Sequence, residues 1–162
     1  MIWVVRLFIL LVGLTLLVLL AAQFGLFQGT RPADLGVRHG RLKPPSQTPN
    51  SVSSQAGLYP DHPRRVQAQI EPLPMQGDAG RTLERLQAVV GAMRGARIIE
   101  TLPDYLYAEF TTPLMRYVDD VEFWIDPVEQ VVQVRSASRL GHGDLGVNRK
   151  RIEQIRAALA RP

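Results

Sequence analysis

The stretch Val131–Arg156 constrains the fold most, because its character changes from that of a strand to that of a helix. Val131 to Arg135 is rich in valine and predicts a β-strand. Serines and glycines follow and are typical of a turn. Leu145, Ile152, Ile155 and Leu159 then recur at helical spacing, with Asp144 as the expected N-terminal cap. The remaining helix surface is basic and carries Arg149, Lys150, Arg151 and Arg156.

A second predicted strand, Val121 to Ile125, precedes this stretch and forms a hairpin with it. The connection over residues 126–129 suits a type I turn. Pairing Ile125 with Gln130 places Phe123 opposite Val132 and Val121 opposite Val134, so that apolar side chains share one face. On the other face, this register predicts that Asp120 lies opposite Arg135.

The preceding residues predict the other elements of an α+β domain. Val66, Ala68 and Ile70 alternate with polar residues, which predicts a first strand that Pro72 ends. Leu83, Leu86, Val90 and Met93 form the apolar stripe of a helix, with Asp78 as its cap and Gly95 as its stop. Residues 97–101 and 105–112 predict two strands joined by a turn at Pro103-Asp104. The order β-α-β-β-β-β-α predicts an antiparallel sheet of about five strands with two helices packed on it.

The N-terminal residues predict a membrane anchor. Residues 7–22 are uncharged and apolar, and about twenty such residues span a bilayer as a helix. A cleaved signal peptide is the alternative, although Leu20-Ala-Ala22 fits a cleavage site poorly. We expect an uncleaved transmembrane anchor over 1–27, an extended Pro/Gly/Ser-rich connector over 28–63, and the α+β domain over 64–162.

The orientation of this single span is ambiguous in the sequence. Arg31, Arg38, Arg41 and Lys43 follow the span and favour a cytoplasmic domain by the positive-inside rule. A single N-terminal anchor before a compact domain is, however, more typical of export in bacteria. We expect a single-pass protein of the cytoplasmic membrane with a periplasmic C-terminal domain, and the opposite orientation stays open.

Three segments of the chain resemble the family called domain of unknown function 1499. They are V-R-S-A-S-R-x-G-x-x-D-x-G-x-N-R-x-R-I-E from Val134 to Glu153, Y-V-D-D-V-E-F from Tyr117 to Phe123, and Arg41 to Ala56. The resemblance covers about residues 34–160 and implies no particular activity. Members of the family often carry cysteines at the positions of Pro45 and Ser51, which suits an oxidising compartment. This chain has no cysteine, so any covalent link there is lost.

The turn before the last helix is the candidate site for an anion. Glycine-rich turns that lead into a helix hold anions with backbone N–H groups, and arginine adds bidentate hydrogen bonds. The candidate residues are Arg135, Ser136, Ser138, Arg139, Asp144, Asn148 and Arg149. Alternatively, Arg135 and Arg139 pair with the acidic residues Asp119, Asp120 and Glu122, and Asp144 occupies the helix end itself.

Other constellations give weaker predictions. The three acidic residues of the Asp119–Glu122 segment offer oxygen ligands for a hard cation, but Asp119 points to the opposite face of its strand, so no metal site is predicted. His142 near Ser136 and Ser138 resembles a nucleophile–base pair. The chain has no G-x-S-x-G motif, and His39 and His62 have no ligand spacing. We therefore assign no catalytic residue, no metal and no cofactor.

These features favour a membrane-anchored, non-catalytic binding or assembly module of the cell envelope. The net charge is +4, and the basic last helix suits anionic lipid head groups; an envelope protein is the other expected partner. Nucleic acid is not expected, because the chain combines an anchor and an acidic strand with no recognition motif. The alternative is an enzyme or carrier for an anionic small molecule or lipid that uses the Arg135–Asp144 turn.

Overall fold

An apolar helix and an antiparallel sheet with helices on one face make up the protein, as given by a computed structural model that describes residues 1–161. The predicted α+β class is confirmed. In chain order the elements are α1 (Ile2–Gln23), β1 (Ser51–Ser53), a short 3-10 helix (Ala56–Leu58), α2 (Arg65–Ala68), β2 (Leu73–Pro74), α3 (Ala79–Gly91), β3 (Ala96–Leu102), β4 (Tyr105–Thr111), β5 (Val118–Asp126), β6 (Val131–Ser138) and α4 (Val147–Leu159).

The sheet has the strand order β1-β6-β5-β4-β3, and β2 also pairs with β6. Every pair is antiparallel. Helices α3 and α4 pack against each other and against the sheet. We call the sheet face under these helices the inner face and the opposite one the outer face.

The inner face carries the main hydrophobic core. Alternate residues of β4, β5 and β6 point towards the helices, because successive side chains of a strand lie on opposite faces. The fully buried members include Leu106, Val121, Phe123, Val132 and Val134 from the strands and Leu86, Val90, Ile152, Ile155 and Leu159 from the helices. The predicted apolar stripes of both helices thus lie largely in this core.

Helix α1 is apolar and is long enough to cross a membrane. Its side chains are almost all exposed, and Ala22 is its one buried residue. An exposed apolar surface of this length is unusual for a protein in water, where contiguous apolar patches mark interaction or membrane sites. The length and composition of α1 therefore fit either a single-pass membrane anchor or a signal sequence.

The first strand predicted from the alternation of Val66, Ala68 and Ile70 is wrong. Residues 65–68 form the single helical turn of α2, and Val66 is 82% exposed. The carbonyl groups of this segment are used by α4: Arg149 donates to Gln67 and Gln69, and Arg156 donates to Glu71 and Pro72. The side chains of α4 thus bond to carbonyls in this segment that a neighbouring strand would bond to in a sheet.

The predicted register of the β5–β6 hairpin is wrong by two residues. Ile125 lies opposite Val132 and Phe123 opposite Val134. The loop comprises residues 127–130, because Asp126 Oδ1 accepts hydrogen bonds from the N–H groups of Val128 (2.9 Å) and Glu129 (3.1 Å). A slip of two keeps each side chain on its predicted face but changes its partner. Glu122 lies opposite Arg135, and Asp120 lies opposite Ala137.

The predicted cap of α3, Asp78, is confirmed, whereas the N-cap residue of α4 is Gly146 and Asp144 lies two residues before it. Asp78 Oδ1 accepts from the N–H of Arg81 at 2.8 Å, and Asp144 Oδ2 accepts from the N–H of Asn148 at 2.8 Å. Two details differ from prediction. Helix α3 ends at Gly91, so Gly95 (φ +80°) lies in the turn before β3 and not at the helix terminus. Leu145 is not part of the apolar stripe of α4, since it is fully exposed with a φ of +52°.

Candidate functional site

The outer face of the sheet is polar and charged, and it is buried. Its residues are Tyr105, Tyr107 and Glu109 from β4, Asp120, Glu122 and Trp124 from β5, and Gln133, Arg135 and Ala137 from β6. Each of them is less than 9% exposed. Charged side chains are almost never fully buried unless they are paired. This face therefore requires both a cover and a set of partners.

The cover is residues 30–47, which we call the covering segment. It contributes backbone groups directly to the charged side chains: the N–H of Gly36 donates to Glu122 Oε1 at 2.7 Å, and the carbonyl of Pro44 accepts from Arg135 Nε at 3.1 Å. Leu42 is 1% exposed and packs with Tyr105, Tyr107 and Trp124. The guanidinium of Arg31 lies 4.4 Å from the centre of the Tyr107 ring. Residues 30–47 of the predicted connector thus lie along the sheet, and residues 51–53 of it form strand β1.

Arg139, just beyond β6, is the centre of one ion-pair network. Its Nε lies 3.1 and 3.0 Å from the two carboxylate oxygens of Asp120, and its Nη2 pairs with Asp120 Oδ1 at 2.7 Å and with Glu109. The hydroxyl of Tyr107 donates to Asp120. On the solvent side, Arg97 Nη2 donates to Glu109 Oε2 at 2.7 Å. Two carboxylates are therefore neutralised by two arginines.

Glu122 is the centre of the second network and is completely buried. The Tyr105 hydroxyl donates to Oε1 at 2.9 Å, and Arg135 Nη1 lies 3.4 Å from Oε2. The sequence predicted that Arg135 pairs with Asp120; the correct partner is Glu122, as the two-residue shift in register requires. The sequence left open that Arg135 and Arg139 pair with acidic residues and do not bind an anion. The structure contains these pairs, Arg135 with Glu122 and Arg139 with Asp120.

Burial and pairing move the pKa values of the carboxyl groups on this face in opposite directions. Burial raises the pKa of Glu122 above its usual range, and the charge of Arg135 offsets this only in part. Burial also acts against ionisation of Glu109, but hydrogen bonds from Arg97 and Arg139 hold the pKa of Glu109 below its usual range. Burial, with the neighbouring carboxylates, raises the pKa of Tyr105 and of Tyr107.

Asp119 belongs to a different network on the inner side of the sheet. Arg151 of α4 pairs with Asp119, donates to Asn148 Oδ1 at 2.7 Å and to Ser136 Oγ at 3.0 Å, and stacks on the Phe110 ring at 4.5 Å. Arg151 is 7% exposed, so the prediction that it covers the solvent face of the last helix is wrong. Arg149 and Arg156 likewise hold the carbonyls of residues 67–72, as described above.

The residues predicted to form one anion site are divided by the sheet. Arg135 and Arg139 lie on the outer side, whereas Ser136 and Asn148 lie inside and are bonded to each other. Asn148 Nδ2 also donates to Ser138 Oγ at 3.1 Å and to the carbonyl of Asn50 at 3.0 Å. Asp144 occupies the N-terminus of α4. Anion binding by this set stays a prediction, and an incoming anion has to compete with Glu122 and Asp120 for the two arginines.

The histidines lie apart from these networks. His142 is exposed in the loop after β6, His39 lies in a turn, and His62 Nδ1 accepts from the N–H of Arg64 at 3.2 Å. Ser136 is bonded to Asn148 and Arg151. Within residues 1–161, no group of three or more His, Cys, Asp or Glu side chains is arranged to hold a metal ion.

Two open clefts border the covering segment. One, of about 420 Å³, is lined by Asp34, Gly36, Arg38, His39, Arg41, Leu42, Lys43, Pro44 and Tyr59. The other, of about 410 Å³, contains Asp120, Arg135, Ser138 and Arg139 together with Lys43 and residues 44–47. The first cleft was not predicted. Its hairpin turns at His39-Gly40, both with positive φ, and the backbones of Arg38 and Arg41 form two hydrogen bonds. The glycine was the sequence signal for this turn.

Comparison with known proteins identifies the family. Residues 41–159 match the family model described as "Protein of unknown function (DUF1499)". Since this match covers well over half of the chain, the chain belongs to that family. The search among curated proteins gave no match, and neither did the search among solved structures.

Proposed function

We propose that this DUF1499 protein is a non-catalytic binding or assembly module of the cell envelope. In this proposal α1 anchors it in the cytoplasmic membrane, and its domain lies outside the cytoplasm. The observation that carries the proposal is the exposed apolar surface of α1, whose candidate membrane-spanning window has no buried residue. Contact of this apolar surface with water is unfavourable, whereas a bilayer removes it from water and no other part of the protein has to cover it.

The absence of a catalytic role is supported by how the charged groups are used. An acid, base or nucleophile has to reach a substrate. On the outer face, Glu109, Asp120 and Glu122 are each bound to arginine and buried. Asp119 is bound to Arg151 in the same way. Groups held like this stabilise a particular arrangement of the chain and are poorly placed for chemistry.

The binding surface in this proposal is the cleft of about 420 Å³ beside the His39-Gly40 turn. Arg38, Arg41 and Lys43 line it and favour an acidic partner. A Cβ on Gly40 would lie 3.8 Å from the Trp124 ring, whereas Phe27, which follows α1, packs on Tyr117 just before β5. Seven residues of strand separate these points by roughly 23 Å. The cleft therefore lies far from the end of α1, which favours an acidic segment of an envelope protein over a lipid.

Membrane fractionation of the full chain tests the anchor. We expect the protein to stay in the membrane pellet after an alkaline carbonate wash and to keep its first residues in intact mass spectrometry. The variant Leu11→Arg/Leu14→Arg should be released, because each arginine near the centre of a span costs about 2.5–3.5 kcal/mol on insertion scales. Val128→Arg, an exposed apolar position of the domain, is the matched control and should be retained. A mature start near Gln23 would show a secreted protein instead.

Reporter fusions at the C-terminus test the orientation. A reporter active only outside the cytoplasm should be active, and one active only in the cytoplasm should be silent. The reverse result would place the domain in the cytoplasm, in agreement with the positive charges that follow the span.

Photo-crosslinking tests the binding surface. A photoreactive residue at position 39 should form an adduct with an envelope protein, and Arg38→Glu/Arg41→Glu should abolish that adduct. The same photoreactive residue at position 84, exposed on α3 on the opposite face of the sheet, is the control. Equal yields at both positions would remove the cleft as the binding surface.

One observation favours the alternative of a carrier for an anionic small molecule or lipid. The second cleft, of about 410 Å³, brings Arg135, Ser138 and Arg139 together with Lys43. Titration with inorganic phosphate by calorimetry checks this alternative. Binding that Lys43→Ala weakens and Lys150→Ala leaves unchanged would favour the carrier, since Lys150 is exposed on α4.

A further inference from the structure

The C-terminal end of α1 is attached to one end of the sheet. Gln23 Nε2 donates to the carbonyl of Leu114 at 3.0 Å, and the rings of Phe27 and Tyr117 lie 5.8 Å apart. Gly29 packs closely on Leu140, because a Cβ added at residue 29 would lie 2.9 Å from the Cγ of Leu140. These contacts join α1 to two loops, the β4–β5 loop (residues 112–117) and the β6–α4 loop (residues 139–146).

Both loops lie at the same end of the sheet. Because β4, β5 and β6 are antiparallel, one end of the sheet contains the end of β4, the start of β5 and the end of β6. The turns at residues 103–104 and 127–130 lie at the opposite end of the sheet. The nine residues of β5 separate the two ends by about 30 Å.

The two loops expose apolar side chains beside the end of α1. Leu114 is 60% exposed, Leu140 is 41% exposed and Leu145 is fully exposed. Leu145 also has a φ of +52°, a conformation that is uncommon for residues other than glycine. Packing within residues 1–161 does not account for an exposed leucine in this conformation. The sequence pattern had placed Leu145 in the apolar stripe of α4. In the structure it belongs to the β6–α4 loop, and its side chain is exposed to water.

A bilayer fits this surface better than a protein partner does. A helix that spans the membrane up to Gln23 brings Leu114 to the membrane surface, because the two residues are hydrogen-bonded. Leucines at that depth lose their contact with water without any partner chain. Tyr117, which is 37% exposed in the same loop, is of the residue type that is enriched at membrane interfaces.

We propose that the β4–β5 and β6–α4 loops rest on the membrane that α1 spans and insert Leu114, Leu140 and Leu145 at the boundary between head groups and acyl chains. This inference rests on the proposed membrane anchor and adds to it a fixed orientation of the domain. The β5–β6 turn then points away from the membrane, and so does the cleft beside His39-Gly40.

Single-cysteine labelling of the full chain tests this orientation, since the natural chain has no cysteine. Leu114→Cys, Leu140→Cys and Leu145→Cys are each labelled with an environment-sensitive fluorophore. Val128→Cys, 87% exposed at the distal turn, is the matched control. The proteins are reconstituted in vesicles of phosphatidylcholine and phosphatidylglycerol, with and without a quencher attached to the lipid acyl chains.

We expect blue-shifted emission and several-fold stronger quenching at residues 114, 140 and 145 than at residue 128. Insertion of about 5–10 Å, the depth reached by interfacial amphipathic helices, is within reach of such a quencher. If the vesicles float with the protein but the loop labels are quenched no more than the label at 128, the inference is overturned and the anchor stands. If the protein does not float with the vesicles, the anchor and the inference both fail.

Discussion

The two faces of the sheet are both buried, but different interactions stabilise them. On the inner face, Phe123, Val121 and Leu106 pack against the apolar stripes of α3 and α4. On the outer face, Asp120 and Glu122 are paired with arginines beneath the covering segment, which has no helix or strand of its own. The inner face depends on the removal of apolar area from water, whereas the outer face depends on complete pairing of charges.

This difference shows what a buried ionic face contributes. Pairing two charges in the interior roughly offsets the cost of removing them from water, so such a face adds little net stability. The ionic face does select one arrangement of the covering segment. Glu122 accepts a hydrogen bond from the N–H of Gly36, and Arg135 donates one to the carbonyl of Pro44. We infer that the outer face fixes the position of the covering segment, and the inner face supplies most of the stability.

Truncation of the inner face should have the largest effect. Phe123→Ala leaves a cavity at a position with no exposed area, and we expect the free energy of unfolding to fall by about 3–5 kcal/mol. Urea denaturation measures this loss. Val128→Ala, at an exposed apolar position, should stay within about 0.5 kcal/mol of the wild type. A loss of similar size at both positions would contradict the assignment of the inner face as the core.

Removal of the central arginine of the outer face should have a similar effect for a different reason. Arg139→Met leaves Asp120 buried without a cationic partner, which costs about 3–5 kcal/mol. Arg81→Met is the control, because Arg81 is exposed and lies 3.9 Å from Asp78; we expect a change of about 0–1 kcal/mol. A fully stable Arg139→Met protein would mean that Asp120 is hydrated in solution.

Truncation of the cover should have a smaller, local effect. Leu42→Ala removes the apolar contact between the covering segment and Trp124, and we expect a loss of about 2–3 kcal/mol, the lower part of the range for buried leucines. Limited proteolysis should show faster cleavage within residues 30–47 and unchanged cleavage elsewhere. Faster cleavage in α3 or α4 as well would show that the two faces unfold together.

The smallest effect concerns the pH dependence of stability. The folded-state pKa of Glu122 is raised by burial, so the folded protein holds this proton more tightly than the unfolded chain. The contribution of Glu122 to stability is therefore largest below the usual glutamate pKa of about 4.3. It declines as the pH rises from there through the folded-state value.

Glu122→Gln should remove this decline, and urea denaturation across a pH series measures it. The stability of the wild type relative to the variant should fall above pH ~4.3 and then become constant. Glu84→Gln, at an exposed position of α3, should keep the wild-type profile. A relative stability that rises with pH would mean that Arg135 lowers the pKa of Glu122 after all.

The elements that could be predicted from the sequence are those with a strong local pattern. The stripe of Leu83, Leu86 and Val90 with the cap Asp78 identified α3, and the alternation of apolar and polar residues in β5 and β6 identified both faces of those strands. The register was missed because a slip of two residues preserves that alternation, and the Asp126 turn decided it. The segment at Val66 has the alternation of a strand but forms the helical turn α2, and side chains of α4 bond to the carbonyls that follow.

The candidate site was harder to predict than the fold. Asp120, Glu122, Arg135 and Arg139 were recognised as partners, but the assignment of Arg135 to Asp120 followed from the wrong register. The role of the covering segment was not predictable in detail, because Gly36 and Pro44 act through backbone groups. Backbone donors and acceptors are common to almost all residues and leave no mark in the sequence.

A double-mutant cycle of Asp120→Asn and Arg139→Met tests most directly whether the outer face is a structural ion-pair network. We expect the two losses in unfolding free energy to be non-additive, with a coupling of about 0.5–3 kcal/mol. The parallel cycle of Asp120→Asn and Arg135→Met should show a smaller coupling, because Arg135 is bound to Glu122. Additive losses for Asp120 and Arg139, or a stronger coupling of Asp120 to Arg135, would contradict this account.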